Sequence, residues 1–237
     1  MNKERIKTIF PYFSLFIALC LLVSACTNPF MEKLLGARSS PASVEGPYTG
    51  PPGSGTLTDP FIVHNPYTLR KVGSGIDGWE LNSYYEQISD ISLATEGPWT
   101  PIVPVVGLGL QPFTGQYDGK GKIIGGLKIN DTTACQQGLF SQISSAGSPI
   151  PGGVVKNVNL VNCEITGMEF IGGIAGENDG GRIENCSFTG VINGEKYIGG
   201  ITGNNYNGKI INCHVAGVVT GTIEIAGGVV EIGRAHV

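Results

Sequence analysis

Among its 6 cysteines the sequence has no Cys-x-x-Cys pair, and of its 3 histidines only His64 and His214 lie outside the final six residues. A structural zinc site needs four Cys or His ligands at characteristic spacings, so no metal is expected. Gly-x-Ser-x-Gly and His-Glu-x-x-His are both missing, which removes the signatures of a hydrolase elbow and a zinc peptidase helix. No pair of carboxylates recurs at a spacing suited to sugar hydrolysis. Gly119-Lys120-Gly121 lacks the following helix that a phosphate loop requires. No catalytic residue and no cofactor are therefore expected. Charged residues make up only 14% of the chain and the net charge is −4, which argues against nucleic acid as a partner. Helical periodicity is absent from the second half. What is plentiful is glycine, 37 residues in all, and this composition suggests short strands joined by tight turns.

The N-terminus carries Lys3, Arg5 and Lys7 ahead of the apolar run IFPYFSLFIALCLLVSAC. Its length and flanks suit a signal peptide, residues 1–25, and it is short for a spanning helix. The run closes on Val23-Ser24-Ala25-Cys26, which resembles a bacterial lipobox and makes Cys26 the expected lipidation site. Acyl chains would hold the protein to a membrane, outer or cytoplasmic, facing outside the cytoplasm. The Pro-, Gly- and Ser-rich stretch that completes residues 26–54 reads as a tether. At the other end, Ile232-Gly233-Arg234-Ala235-His236-Val237 matches a translated sequencing adapter, so residues 232–237 are expected to be an artefact and the natural protein longer.

Residues 55–153 are expected to form the β-rich beginning of the folded part. One short helix is predicted there, with Asn65 as its cap, Pro66 at its first position and Gly73 closing it. Trp79 and Trp99 are candidates for stacking on a ligand. From 154 to 231 the chain repeats itself. IGGIAGENDGG begins at Ile171 and IGGITGNNYNG at Ile198, and LVNC, IENC and IINC end at Cys163, Cys186 and Cys213. Intervals of 23 and 27 residues between those cysteines are expected because the first copy lacks a Val-x-x-Gly segment. A strand-rich repeat of this period points to a β-solenoid, in which each coil covers the apolar side of the next. Ile171 should then lie on Ile198, and Ile183 on Ile210 or Ile211. The paired glycines Gly172-Gly173 and Gly199-Gly200 serve corners or close approach. Cys163, Cys186 and Cys213 would form one column, as buried filler, as a disulfide between coils or as metal ligands. Asn162, Asn185 and Asn212 would form an amide ladder beside it.

At IGGIAGENDGGRIENCSFTGVINGEKYIGGITGNNYNGKIINC the chain resembles the GLUG-motif repeat family. The resemblance implies an all-β fold, a right-handed parallel β-helix with one short helix before the repeats, on a bacterial surface lipoprotein. The family includes adhesin-like proteins and some immunoglobulin A peptidases whose repeats lie outside the catalytic region, and no catalytic residue maps onto this chain. The expected function is a non-catalytic binding, adhesion or structural module, with a membrane and a host or cell-surface glycan or protein as partners. The alternative is the non-catalytic N-terminal portion of a larger surface enzyme.

Overall fold

The computed structural model describes residues 49–102, 111–145, 152–223, 226–228 and 230–234. The signal peptide, Cys26, most of the tether and residues 235–237 lie outside the described residues. Nineteen strands alternate with tight turns in the described part. In chain order they are β1 (Phe61–Val63), β2 (Tyr84–Gln87), β3 (Ile91–Ser92), β4 (Gln116–Asp118), β5 (Ile123–Gly125), β6 (Lys128–Asn130) and β7 (Phe140–Ser144). Then follow β8 (Val154–Lys156), β9 (Asn159–Thr166), β10 (Glu169–Ile171), β11 (Ala175–Asp179), β12 (Arg182–Glu184), β13 (Ser187–Gly194) and β14 (Lys196–Gly199). The last are β15 (Thr202–Tyr206), β16 (Lys209–Ile211), β17 (His214–Gly221), β18 (Ala226–Gly227) and β19 (Val230–Arg234).

These strands form four parallel sheets, ordered β1-β2-β4-β8-β12-β16, β3-β5-β9-β13-β17 with β6 also beside β9, β7-β11-β15-β19, and β10-β14-β18. Each sheet takes one strand per turn of the chain, except that β5 and β6 of one turn share β9. Every coil therefore pairs its backbone groups with the coil before and after it, and the fold is a parallel β-helix. Its interior is a set of columns, because strands in register place like positions over one another about 4.8 Å apart. One column runs Phe61, Tyr85, Tyr117, Val155, Ile183, Ile210. A second runs Ile91, Ile124, Leu160, Phe188, Val215. A third runs Ile129, Ile165, Ile192, Val219. Ile171 lies on Ile198 as expected, and Ile183 is matched with Ile210, which settles the choice of partner.

The Gly-Gly-apolar-small-Gly phrase is the arch between β10 and β11, repeated between β14 and β15. Here the backbone turns sharply on itself and lies directly against the backbone of the next coil. A Cβ on Gly172 would sit 2.2 Å from the Ala175 carbonyl oxygen, and one on Gly200 would sit 2.4 Å from that of Gly228. No side chain fits at either place. The Asn-rich turns that follow have a separate cause. Asn178 and Asn205 are buried, and their amides donate to Gly181 O at 3.3 Å and Gly208 O at 3.0 Å. Asn178 also donates to Asn205 Oδ1 at 2.7 Å. Each turn thus satisfies a buried backbone carbonyl and ties one coil to the next.

Helix α1 (Pro66–Lys71) forms as the sequence predicts. Asn65 Oδ1 accepts from Thr68 N at 2.8 Å, Thr68 Oγ1 accepts from Asn65 N at 3.1 Å, and Pro66 occupies the first turn. Gly73, at φ 69°, follows the C-cap Val72. The helix buries Leu69, and Trp79 stacks on Phe61, the terminal member of the six-residue column, at 4.6 Å. This covers the first coil, as a terminal cap must in any stacked-coil architecture.

The expected cysteine column needs correcting. Cys213 does lie on Cys186, because Ser187 pairs with His214. Below Cys186, however, stands Val158, because Ser187 pairs with Asn159. Cys163 instead faces Gly190, across a register shift between Phe188 and Gly190. Asn162 turns left-handed there, at φ 54°, and adds one residue to β9, a bulge. The Val-x-x-Gly segment is not missing from the first copy: Glu164-Ile165-Thr166 pair with Val191-Ile192-Asn193. The amide ladder likewise runs Asn157, Asn185, Asn212, without Asn162. Asn185 Nδ2 donates to Asn157 Oδ1 at 3.2 Å and Asn212 Nδ2 to Asn185 Oδ1 at 3.3 Å, over separations of 28 and 27 residues.

Candidate binding face

The eight-residue strands β9, β13 and β17 are the longest among the described residues. Alternation sends Ile165, Ile192 and Val219 inward and their neighbours outward. Two outward columns result: Lys128, Glu164, Val191, Val218, and Asn130, Thr166, Asn193, Thr220. Val218 is 58% exposed and Val191 is 38% exposed. Lys128 Nζ meets Glu164 Oε2 at 3.3 Å; both side chains are open to water, so this pair adds little stability. At the first of these coils the turn holding Ala94, Gly97 and Pro98 rises beside Lys128, Asn130, Glu164 and Thr166, leaving an open cleft of about 460 Å³.

Trp99 fixes that turn. Its backbone N–H donates to Lys128 O at 2.6 Å, and the Arg70 guanidinium lies 4.9 Å from the ring centroid. The indole is 4% exposed, and that of Trp79 is 2% exposed. Neither ring can stack on a ligand, contrary to expectation, because both close the solenoid's first coils. Trp79 packs against Phe61 and Tyr85, with the Lys71 ammonium 5.0 Å from its ring centroid.

An aromatic pair at the surface does exist in the repeats themselves, with Tyr197 exposed and Phe170 half-buried. Phe170 and Tyr197 stack at 5.0 Å with an interplanar angle of 5°. Both have positive φ, 58° and 55°, unusual for bulky residues. The signal was available: each stands immediately before the Ile that opens a Gly-Gly phrase. Each ring covers one face of the other.

Two carboxylates are shaped by the columns. Burial pushes the Glu177 carboxyl up, although the Gln136 and Asn204 amides donate to it at 2.7 and 3.1 Å. Asp118 moves the other way. Burial alone would raise it, but the Asn157 amide, the Lys120 backbone N–H and the Lys156 and Lys120 ammoniums together hold it below its usual value. Asp118 accepts from Asn157 at 2.8 Å and so stands at the foot of the amide ladder. Asp118 also accepts from Lys120 N at 2.9 Å, which shapes the turn that follows β4. Among the described residues, no three His, Cys, Asp or Glu side chains are placed to hold a metal ion together.

Comparison with known proteins matches this geometry. The family model "Glug: The GLUG motif" fits residues 171–193 and 194–220. The first match runs from the last residue of β10 into β13, and the second from the last residue of β13 into β17, so the two follow successive turns of the chain. Over 159 residues, 65% of this chain, the sequence is 29% identical to halomucin of Haloquadratum walsbyi, of which it spans 2%. A crystal structure from Bacteroides ovatus, described as a candidate immunoglobulin A1 protease, shares the fold with a TM-score of 0.51 and 24% identity. That likeness covers 71% of this chain and 50% of the other. The chain thus carries two successive GLUG-motif repeats, each a single coil of a parallel β-helix.

Proposed function

We propose that this chain is a non-catalytic binding module of a cell surface, held to a membrane through lipid on Cys26 and presenting the β6-β9-β13-β17 face to a glycan or protein. The observation that carries this reading is the outward pair of columns. One column alternates Asn130, Thr166, Asn193 and Thr220 at coil spacing, and in the other Val191 and Val218 stand exposed on successive coils, which suits an extended partner that meets repeated weak contacts. Val191→Arg with Val218→Arg tests it, since both side chains point to water. Binding to an immobilised glycan or protein panel should fall while the melting temperature stays unchanged. Unchanged binding by the double variant would remove the face from consideration.

Lipid attachment has its own test. Cys26→Ala should shift the protein from the membrane fraction to the soluble fraction and abolish incorporation of labelled fatty acid. A second reading, a non-catalytic portion of a larger surface enzyme, is favoured by the likeness to the Bacteroides ovatus structure. Resequencing the locus to establish its full reading frame tests the two against each other: further coils would favour the binding module, and a zinc-binding His pair or comparable catalytic motif would favour the enzyme.

A further inference from the structure

Cys186 and Cys213 occupy the same position in consecutive coils. The adjoining pair Ser187 and His214 are in register, and His214 N donates to Cys186 O at 2.9 Å. Cys186 is buried at 1% exposure, while Cys213 is half-buried and packs on the same core. Both thiols donate to backbone carbonyls of the preceding strands, Cys186 to Glu184 O at 3.2 Å and Cys213 to Ile211 O at 3.4 Å. Stacked parallel neighbours lie about 4.8 Å apart, inside the roughly 4.4–6.8 Å over which disulfides bridge Cα atoms.

We propose that Cys186 and Cys213 are a dithiol that exchanges with small disulfides, making this a modification site where a reversible staple closes between two coils. The Cys213 thiolate attacks one sulfur of the small disulfide and expels one thiol, leaving a mixed disulfide. The Cys186 thiolate then attacks Cys213 Sγ and expels the second. Two protein thiols and one disulfide thus become one protein disulfide and two free thiols, the two protons passing to the departing thiolates. The roles follow from position. Cys213 is the more accessible, and the neighbouring Cys186 side chain brings its thiol down to about 7, whereas Cys213 and burial push the Cys186 thiol up. Closing the bond requires in-register Cβ atoms to draw together, and strained disulfides are the easily reduced ones. Cys163 serves as an internal control: it is fully buried, faces Gly190 and is pushed up to about 11 by burial.

The reduced chain should be incubated with oxidised glutathione and mapped by mass spectrometry without reduction. The expected product is a Cys186–Cys213 cross-linked peptide, with a raised melting temperature that reverts on adding dithiothreitol. In Cys186→Val, glutathione should remain trapped on Cys213. That variant is chosen because Val158 fills the same place one coil below, so folding is retained. In Cys213→Ser, Cys186 should stay unmodified. Cys213 should alkylate roughly tenfold or more faster than Cys163, following thiolate character and exposure. A mixed disulfide that persists on Cys213 in the unaltered chain, or Cys163 reacting as fast as Cys213, would overturn the proposal.

Discussion

Residue identity matters most where the backbone leaves a single solution. Asn185 stands at φ 50°, a conformation that costs an ordinary L-residue roughly 1–2 kcal/mol, and its amide joins two ladder bonds. Asn185→Gly keeps the backbone and loses the ladder, whereas Asn185→Ala loses both. Chemical denaturation should therefore place Asn185→Ala about 1 kcal/mol below Asn185→Gly, and equal stabilities would remove strain from the account. Glu177 makes a pH-dependent prediction. Its folded-state pKa is raised, so the folded state favours the protonated carboxyl. Stability should be highest below the unfolded value, about 4.3, and decline as pH rises through the folded pKa. Glu177→Gln should flatten that decline and match or exceed the parent melting temperature at neutral pH. A steeper decline in the variant would contradict the assignment.

Elements form here for local reasons in one place and non-local reasons elsewhere. Helix α1 is local: its cap and Pro are written in consecutive residues, and the sequence predicts both ends. Asn65→Ala should cost about 1 kcal/mol, and a larger loss together with exposure of Trp79 fluorescence would show that the helix is needed to cover the first coil. Strand register is non-local, and there the sequence misleads. Val-Asn-Cys at 161–163 reads like Glu-Asn-Cys at 184–186, yet the structural counterpart of 184–186 is Lys-Asn-Val at 156–158, with Val158 in the place of Cys186. The core needs a small apolar group there and does not distinguish Val from Cys, while the bulge at Asn162 is invisible to spelling. The Ile columns were legible because an alternating strand with one buried face cannot slip by one residue. The tryptophans were not. Whether an aromatic caps a coil or faces water depends on which strand lies at the end of the stack, and no residue near Trp79 or Trp99 records that.

At the scale of the whole molecule, stability should be divided among neighbouring coils rather than held in one centre. A glycine arch such as Gly172 serves two coils at once: its Cβ would also meet Thr202 Cα of the next coil at 2.5 Å. Gly172→Ala should therefore loosen both, lowering stability by about 1–3 kcal/mol and raising amide exchange in β11 and β15 together. The claim beneath all of this is that residues 171–197 are one interchangeable coil. Ile198 follows Tyr197 as Ile171 follows Phe170, and the two isoleucines share a column. Removing 171–197 joins Phe170 to Ile198 and leaves every column intact but one member shorter. Thermal unfolding of that shortened chain, followed by circular dichroism, should give a single cooperative transition with the strand spectrum preserved. A deletion of 171–184, about half a coil, should give none. An unfolded full-coil deletion, or a half-coil deletion that folds as well, would contradict the stacked-coil account directly.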